Sequence, residues 1–369
     1  MDNPIYSTTT YRHSHPLMGP YPISGEQISV PHVMGALYLD VWSGKQIEPR
    51  IVNGLAYLSL DMERRGFGAI VATSDQTYAA SLTPFLTEMS ERATRPLQSF
   101  SAEWKAVPQS IVPVSPTIRR ATVPSGMIEI PGGQFDFVVH GIEIEGYTNE
   151  GLDVQYPWEP SPRRSHRKLM DIETFYIDRY PVTNAAFKAF LDATDYSPAD
   201  ATNFLKHWQN GEAPDGWGNK PVVWISLDDA RAYAAWAGKR LPREWEWQYA
   251  AQGNDYRLYP WGNDWNSSAV PPISSSREFP VLADVDAHPA GASPFGVMDL
   301  VGNVWQWTDE FHDERMRAAI LRGGTSYQPQ TSHWYFPQAY RLDEHGKLLL
   351  MAPCKDRSAG IGFRCVTDA

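Results

Sequence analysis

The sequence predicts two domains: a small β-rich one, then a larger α+β one in which loops outweigh regular structure. Three observations carry this. At 369 residues the chain exceeds the roughly 250 to 300 residues at which single cores stop growing. Residues 33–42, 55–60 and 66–73 are β-branched and aromatic runs separated by the turn formers Ser43-Gly44-Lys45 and Asn53-Gly54, the pattern of a small antiparallel sheet. Beyond Ala251 the chain is dense in Gly, Pro, Trp and Asn, with few long periodic segments.

In chain order, residues 82–95 turn helical, and Pro108, Pro113, Pro116 and Pro124 then punctuate an extended linker. This places the domain boundary near 122, between a small sandwich-like domain (1–122) and a second domain (123–369). The second domain opens with MIEIPGGQF at 127–135, a short strand and glycine turn. Residues 175–184 alternate as a strand and run into a helix capped by Thr183 or Asn184. That helix, 185–194, sets Phe187, Phe190 and Leu191 at spacings of three and four, on one buried face. A second helix, 227–237, follows Ser226, with Asp228 and Asp229 in the first turn where the helix dipole favours them, and Gly238 as its stop.

Composition narrows the function. The hydrophobic fraction is 42%, with 14 Trp and 18 Tyr, enough to bury a core and line an aromatic pocket. The net charge of -11 and the lack of basic clusters disfavour nucleic acid as a partner. No stretch approaches the roughly 20 apolar residues that span a bilayer, and the start Met1-Asp2-Asn3-Pro4 is not a signal peptide. The expectation is a soluble chain with no membrane partner, cytoplasmic as it stands, and extracellular or periplasmic if it is part of a longer precursor. Two cysteines, Cys354 and Cys365, cannot build a disulfide framework.

The run 221–247, PVVWISLDDARAYAAWAGKRLPREWEW, is followed in order by YPWGN at 259–263, GNVWQW at 302–307, LRGGT at 321–325 and GFRC at 362–365. Together these resemble the formylglycine-generating enzyme, or sulfatase-modifying factor, family. The resemblance implies a C-type-lectin-like α+β fold with sparse secondary structure and bound calcium. In these motifs Trp236, Trp245, Trp247 and Trp307 are expected as scaffold, and Trp305 as a pocket wall.

The family's copper chemistry does not carry over. Its two copper-binding cysteines follow the Arg-Gly-Gly-Ser motif, and those positions fall here on Gln328 and His333, or one residue later. Monovalent copper wants soft thiolates, so no copper is expected there. Cys365 and Cys354 match other family positions, whose usual disulfide partners correspond here to Ala234 and Ala251. Related sulfoxide synthases hold iron through a His-x3-His-x-Glu motif, which does not occur among the ten histidines here. His13 and His15, two apart, lack a third ligand. The family's calcium loop maps onto Asp299, Gly302, Val304 and Gln306, with Asn exchanged for Asp and Glu for Gln, so the charge of the set is kept and calcium is expected there.

The ligand groove implied by the resemblance comprises Trp305, Ser326, Tyr327, Gln328, His333, Trp334, Tyr335 and Arg341, an aromatic and hydrogen-bonding surface suited to a glycan or a peptide. Two readings follow, and catalytic residues are unassigned in both. One is a non-oxidase binding module, a pseudoenzyme. The other is a diverged oxygen- and metal-dependent oxidoreductase acting on a thiol, or an acid-base catalyst using a histidine with Asp309, Glu310 or Asp313.

Overall fold

A computed structural model describes residues 23–62, 68–95, 99, 101, 103, 105–106, 108–142, 153–274, 282–312, 318–327 and 339–369. The chain divides into two compact units, Met1–Trp104 and Lys105–Ala369.

The first unit carries β1 (Ile23–Pro31), β2 (Leu37–Asp40), β3 (Lys45–Ile47), β4 (Arg50–Val52), β5 (Leu55–Met62) and β6 (Ile70–Thr73). Its runs form two three-stranded sheets, β1-β5-β4 and β3-β2-β6, rather than one. All pairs are antiparallel. Alternation along β5 turns Ala56, Leu58 and Leu60 inward with Tyr38 and Ile70. Next come α1 (Gln76–Ser81), capped by Asp75, and α2 (Thr83–Ala93), which lies inside the helical stretch read from the sequence.

The second unit begins with β7 (Ser110–Ile111), β8 (Met127–Ile130), β9 (Gly133–Gly141), β10 (Ser165–Ile172) and β11 (Phe175–Asp178). Three helices follow: α3 (Asn184–Thr194), α4 (Leu227–Trp236) and α5 (Glu244–Gln252). The remainder is β12 (Trp305–Trp307), β13 (Phe311–His312), β14 (Ala318–Arg322), β15 (Glu344–Leu349), α6 (Pro353–Asp356), β16 (Ile361–Gly362) and β17 (Val366–Asp368). The proline-punctuated stretch read as a linker lies on this unit. β7 pairs with β13, and Thr117 accepts and donates hydrogen bonds at Asp368. The units therefore part at 104/105, not near 122.

The expected caps are present. Thr183 Oγ1 accepts from Ala186 N, and Ser226 and Asp229 form a reciprocal capping box. Phe187 and Phe190 are buried, with Leu191 packed against the same cluster. α5 begins at the end of the 221–247 signature and runs on to Gln252, where no helix was expected.

The central sheet, in the order β10-β9-β15-β14-β12-β16, is covered on both faces. Period-two alternation decides which core each residue joins. On β12, Trp305 and Trp307 enter the cluster with Phe187, Phe190, Tyr233 and Phe363, whereas Gln306 meets Trp247 of α5. On β14, Ala319 and Leu321 join the first group, while Ile320 packs with Trp247 and Arg322 lies over its ring. A smaller sheet, β17-β11-β8, closes the C-terminal end.

Candidate functional site

β14 ends at Arg322, and the chain turns at once through Gly323 and Gly324, whose φ values are +93° and +68°. A Cβ on Gly323 would sit 2.2 Å from Leu300 O, and one on Gly324 2.7 Å from the Tyr340 ring, so the turn admits only glycine. Beyond it, Thr325 Oγ1 donates to Asn303 O (3.1 Å), Tyr340 Oη donates to Thr325 O (2.8 Å), and Ser274 N donates to Ser326 O (2.8 Å). Burial raises the Tyr340 hydroxyl above the ordinary phenol value, which keeps it a neutral donor. Ser326 is buried with an unpartnered Oγ, and Tyr327 is half-buried.

Of the expected groove, Ser326 and Tyr327 are thus brought together, while Gln328, His333, Trp334 and Tyr335 fall outside the described residues. Trp305 corrects the expectation. It is 1% exposed, and its six-membered ring closes on Gly346, so it packs the core instead of walling a groove. The reason is strand parity, since Trp305 shares a face of β12 with Trp307. Arg341 is 44% exposed and holds Asp343 at 2.5 Å and Glu344 at 3.9 Å.

An aromatic terrace beside this turn was not read from the sequence. Trp265 stacks on Tyr340 (5.6 Å, 7°), Tyr259 stacks on Trp261 (5.1 Å, 3°), and Tyr259 and Trp265 meet edge to face (5.5 Å). Trp265 is 46% exposed. The YPWGN run at 259–263 was the available signal.

Beneath the turn lies a buried ionic centre. Glu244, first residue of α5, accepts from Arg322 Nη1 (3.1 Å), His345 Nδ1 (2.6 Å) and the Tyr156 hydroxyl. Burial alone would raise Glu244, but His345, Arg322 and Tyr156 outweigh it and hold the carboxyl at about 2. Glu310 accepts from Glu244 N and from Thr308 Oγ1. Burial and the Glu244 charge raise Glu310 well above the carboxylate range, so it stays protonated. His166 Nδ1 lies 3.0 Å from both oxygens of Glu159, and burial lowers its pKa. The acid-base candidates are therefore occupied structurally: Glu310 as above, and Asp309 by Arg231 at 2.7 Å. Asp313 is outside the described residues.

In the turn assigned to calcium, Gly302, Val304 and Gln306 are buried and Asp299 is half-buried. Asp299 has φ +51°, a left-handed conformation that Asn and Asp tolerate best among residues with a side chain. Its Oδ2 accepts from Asn303 Nδ2 (2.9 Å), and burial raises the carboxyl to about 7. Gln306 Oε1 accepts from Trp247 Nε1 (3.0 Å) and Arg364 Nε (2.6 Å), while its Nε2 donates to Asp299 O (3.2 Å) and Leu300 O (3.0 Å). Arg364 Nη2 also donates to Met298 O and Asp299 O, both at 2.8 Å. The donors here are an amide and a guanidinium. Gln306 offers calcium no free oxygen, and the set as arranged does not fit that ion.

Cys365 is free and fully buried. Its backbone N–H donates to Asp178, and burial together with the Asp178 charge raises the thiol well above its usual value. Ala234 and Ala251, at the family's partner positions, are buried core residues. His13 and His15 lie outside the described residues. Among the described residues no three His, Cys, Asp or Glu side chains converge as a metal site, and no helix is long and apolar enough to cross a membrane.

Residues 114–369 match the sulfatase-modifying factor enzyme 1-like domain, FGE-sulfatase. The chain is 33% identical over 261 residues to the formylglycine-generating enzyme of Mus musculus, covering 54% of this chain and 68% of that one. It is 32% identical over 214 residues to the hercynine oxygenase of Mycolicibacterium smegmatis, covering 51% and 46%. It is 30% identical over 246 residues to inactive C-alpha-formylglycine-generating enzyme 2 of Bos taurus, covering 54% and 75%. With the family's motifs placed at the turn, the ionic centre and the β12 strand, this chain belongs to the FGE-sulfatase family.

Proposed function

We propose that the second unit is a non-oxidase binding module that holds a glycan or peptide beside the Arg322-Gly-Gly turn. The observation that carries this is Cys365. A thiolate copper pair needs two reachable sulfurs; the chain has two cysteines, and one is sealed in the core with its thiol pushed towards the neutral form. Gln328 and His333 stand where the family keeps its pair.

The terrace of Tyr259, Trp261 and Trp265 supports the choice of ligand. An exposed indole face stacks on the apolar face of a sugar ring, and the neighbouring Arg341 and Asp343 are suited to bonding its hydroxyls. A glycan array with a peptide array beside it tests this. Expected is glycan capture that Trp265→Ala weakens tenfold or more, with no oxygen uptake on thiol peptides by copper- or iron-loaded protein. Oxygen uptake with turnover would overturn the reading in favour of the diverged oxidoreductase.

A further inference from the structure

Strand β9 has one side open along half its length. Gly141 N donates to Arg164 O on the β10 side, whereas on the other side His140 N donates to Asp343 O and Val138 O accepts from Gln248 Nε2 (2.9 Å). The β9–β10 register runs unbroken from His140 to Gly133, so the alternation persists and even-numbered residues aim their peptide groups away from β10. β15 takes up that side only at His140 and Gly141. Among the described residues no strand pairs there with the N–H and C=O of Gln134 and Asp136, which recur at about 7 Å along the chain.

A cavity of about 260 Å³ lies on this edge, lined by Gln134, Phe135 and Asp136 of the strand and by Gln252, Asn254 and Tyr256 at and beyond the end of α5. The Tyr256 hydroxyl donates to Asp136 (3.1 Å) and ties that loop to the strand. Native sheets blunt a bare edge with Lys, Pro or a bulge, and residues 133–137, GQFDF, have none of these. Their one charge, Asp136, is taken by Arg167 at 2.6 Å, and Asp255 in the facing loop is taken by Arg257 at 2.5 Å. With its acids paired, the edge offers no net charge to a metal ion or a phosphate. What it offers is peptide groups, and at Val138 O the Gln248 amide already supplies the donor that a neighbouring strand would bring.

We propose that this edge docks an extended, uncharged peptide segment of a partner protein, which joins the central sheet as a further strand. Its main chain bonds Gln134 and Asp136, and one of its side chains enters the cavity between Phe135 and Gln252. The site shares no residue with the Arg322-Gly-Gly turn or with the aromatic terrace, so it does not rest on the ligand reading given for them.

The experiment selects phage-displayed random heptapeptides on the full chain, carries forward those that still bind the Trp265→Ala chain, and titrates them as synthetic peptides with blocked ends. On binding, hydrogen exchange should slow at the Gln134 and Asp136 amides and stay unchanged at Phe135 and Phe137, whose N–H groups already serve β10. Methylating alternate nitrogens of the peptide should abolish binding in one frame and spare it in the other. Gln134→Pro removes a donor that β10 does not use and should weaken binding about tenfold. No peptide that binds the Trp265→Ala chain, or a binder that slows neither amide, overturns the proposal. Slow exchange at both amides in the chain alone, with a dimer seen by light scattering, overturns it in favour of a second copy on the edge. If Gln134→Pro fails to fold by circular dichroism, the exchange pattern decides. None of these results bears on the glycan array, so the two readings fail separately.

Discussion

Two buried polar clusters both touch Trp247, one through its indole N–H and one over its ring, and they differ in how completely they are satisfied. Around Gln306, the amide oxygen takes two donors, the amide nitrogen meets two carbonyls, and Arg364 is shared among Asp178, Arg179, Met298, Asp299 and Gln306. Around Glu244 the carboxylate is equally full, but the histidines that serve it and its neighbourhood each keep a bare nitrogen. Folding requires the first kind of cluster, because unpaired buried polar groups are costly. The second kind leaves two buried ring nitrogens unmet, so it is the less completely satisfied of the two.

The sharpest way to break the comparison is Arg322→Met, which leaves the Glu244 carboxylate buried without its cation. A loss of about 3–5 kcal/mol is expected, read from the urea midpoint. A loss near zero would mean that Glu244 is neutral and that the clusters differ in charge as well as completeness.

Gln306→Glu converts the two amide donations into repulsions with Asp299 O and Leu300 O, at a cost of about 2–3 kcal/mol in chelator. Calcium should then recover stability in the variant and not in the parent, as seen by melting temperature. Calcium stabilisation of the parent would show that the Gln306–Arg364 closure can be displaced.

Titration separates the clusters further. Glu244 has a folded pKa of about 2 against an unfolded 4.5, so its contribution is present above 4.5 and is lost as pH falls towards 2. Asp299 has the opposite sign. Its pKa is raised from 3.8 to about 7, so its contribution is full below 3.8 and lost as pH rises through 7. Asp299→Asn keeps the left-handed backbone and removes the charge. It should match the parent at pH 4 and exceed it at pH 8 by about 1–2 kcal/mol; equal melting at both values would put a partner on that carboxylate. The smallest effect belongs to Arg341→Ala. Its ion pairs are exposed and should contribute under about 1 kcal/mol, while glycan capture should fall severalfold.

What could be read in advance followed the range of each interaction. The caps at Thr183 and Ser226 bond residues three positions on, and alternation along β5 is local, so both were legible. The Gly323–Gly324 turn was legible because a glycine pair announces its backbone. Glu244 was not, since Glu310, Arg322, Tyr156 and His345 reach it from 66 to 101 residues away. Trp305 was misplaced because a three-residue strand carries too little alternation to say which tryptophan faces the interior. The contact between His166 and His345 was not legible either, because it joins two strands through a third.

The final strand has a consequence for how the polypeptide comes off the ribosome. Phe363, Cys365 and Val366 are sealed inside, Arg364 ties Gln306 to the loop at Met298, and Asp368 is gripped by Thr117 and Arg240. The second unit therefore cannot close until those residues have cleared the exit tunnel. Until then, the aromatic face around Phe187 and Tyr233 lacks the Phe363 ring that packs against both.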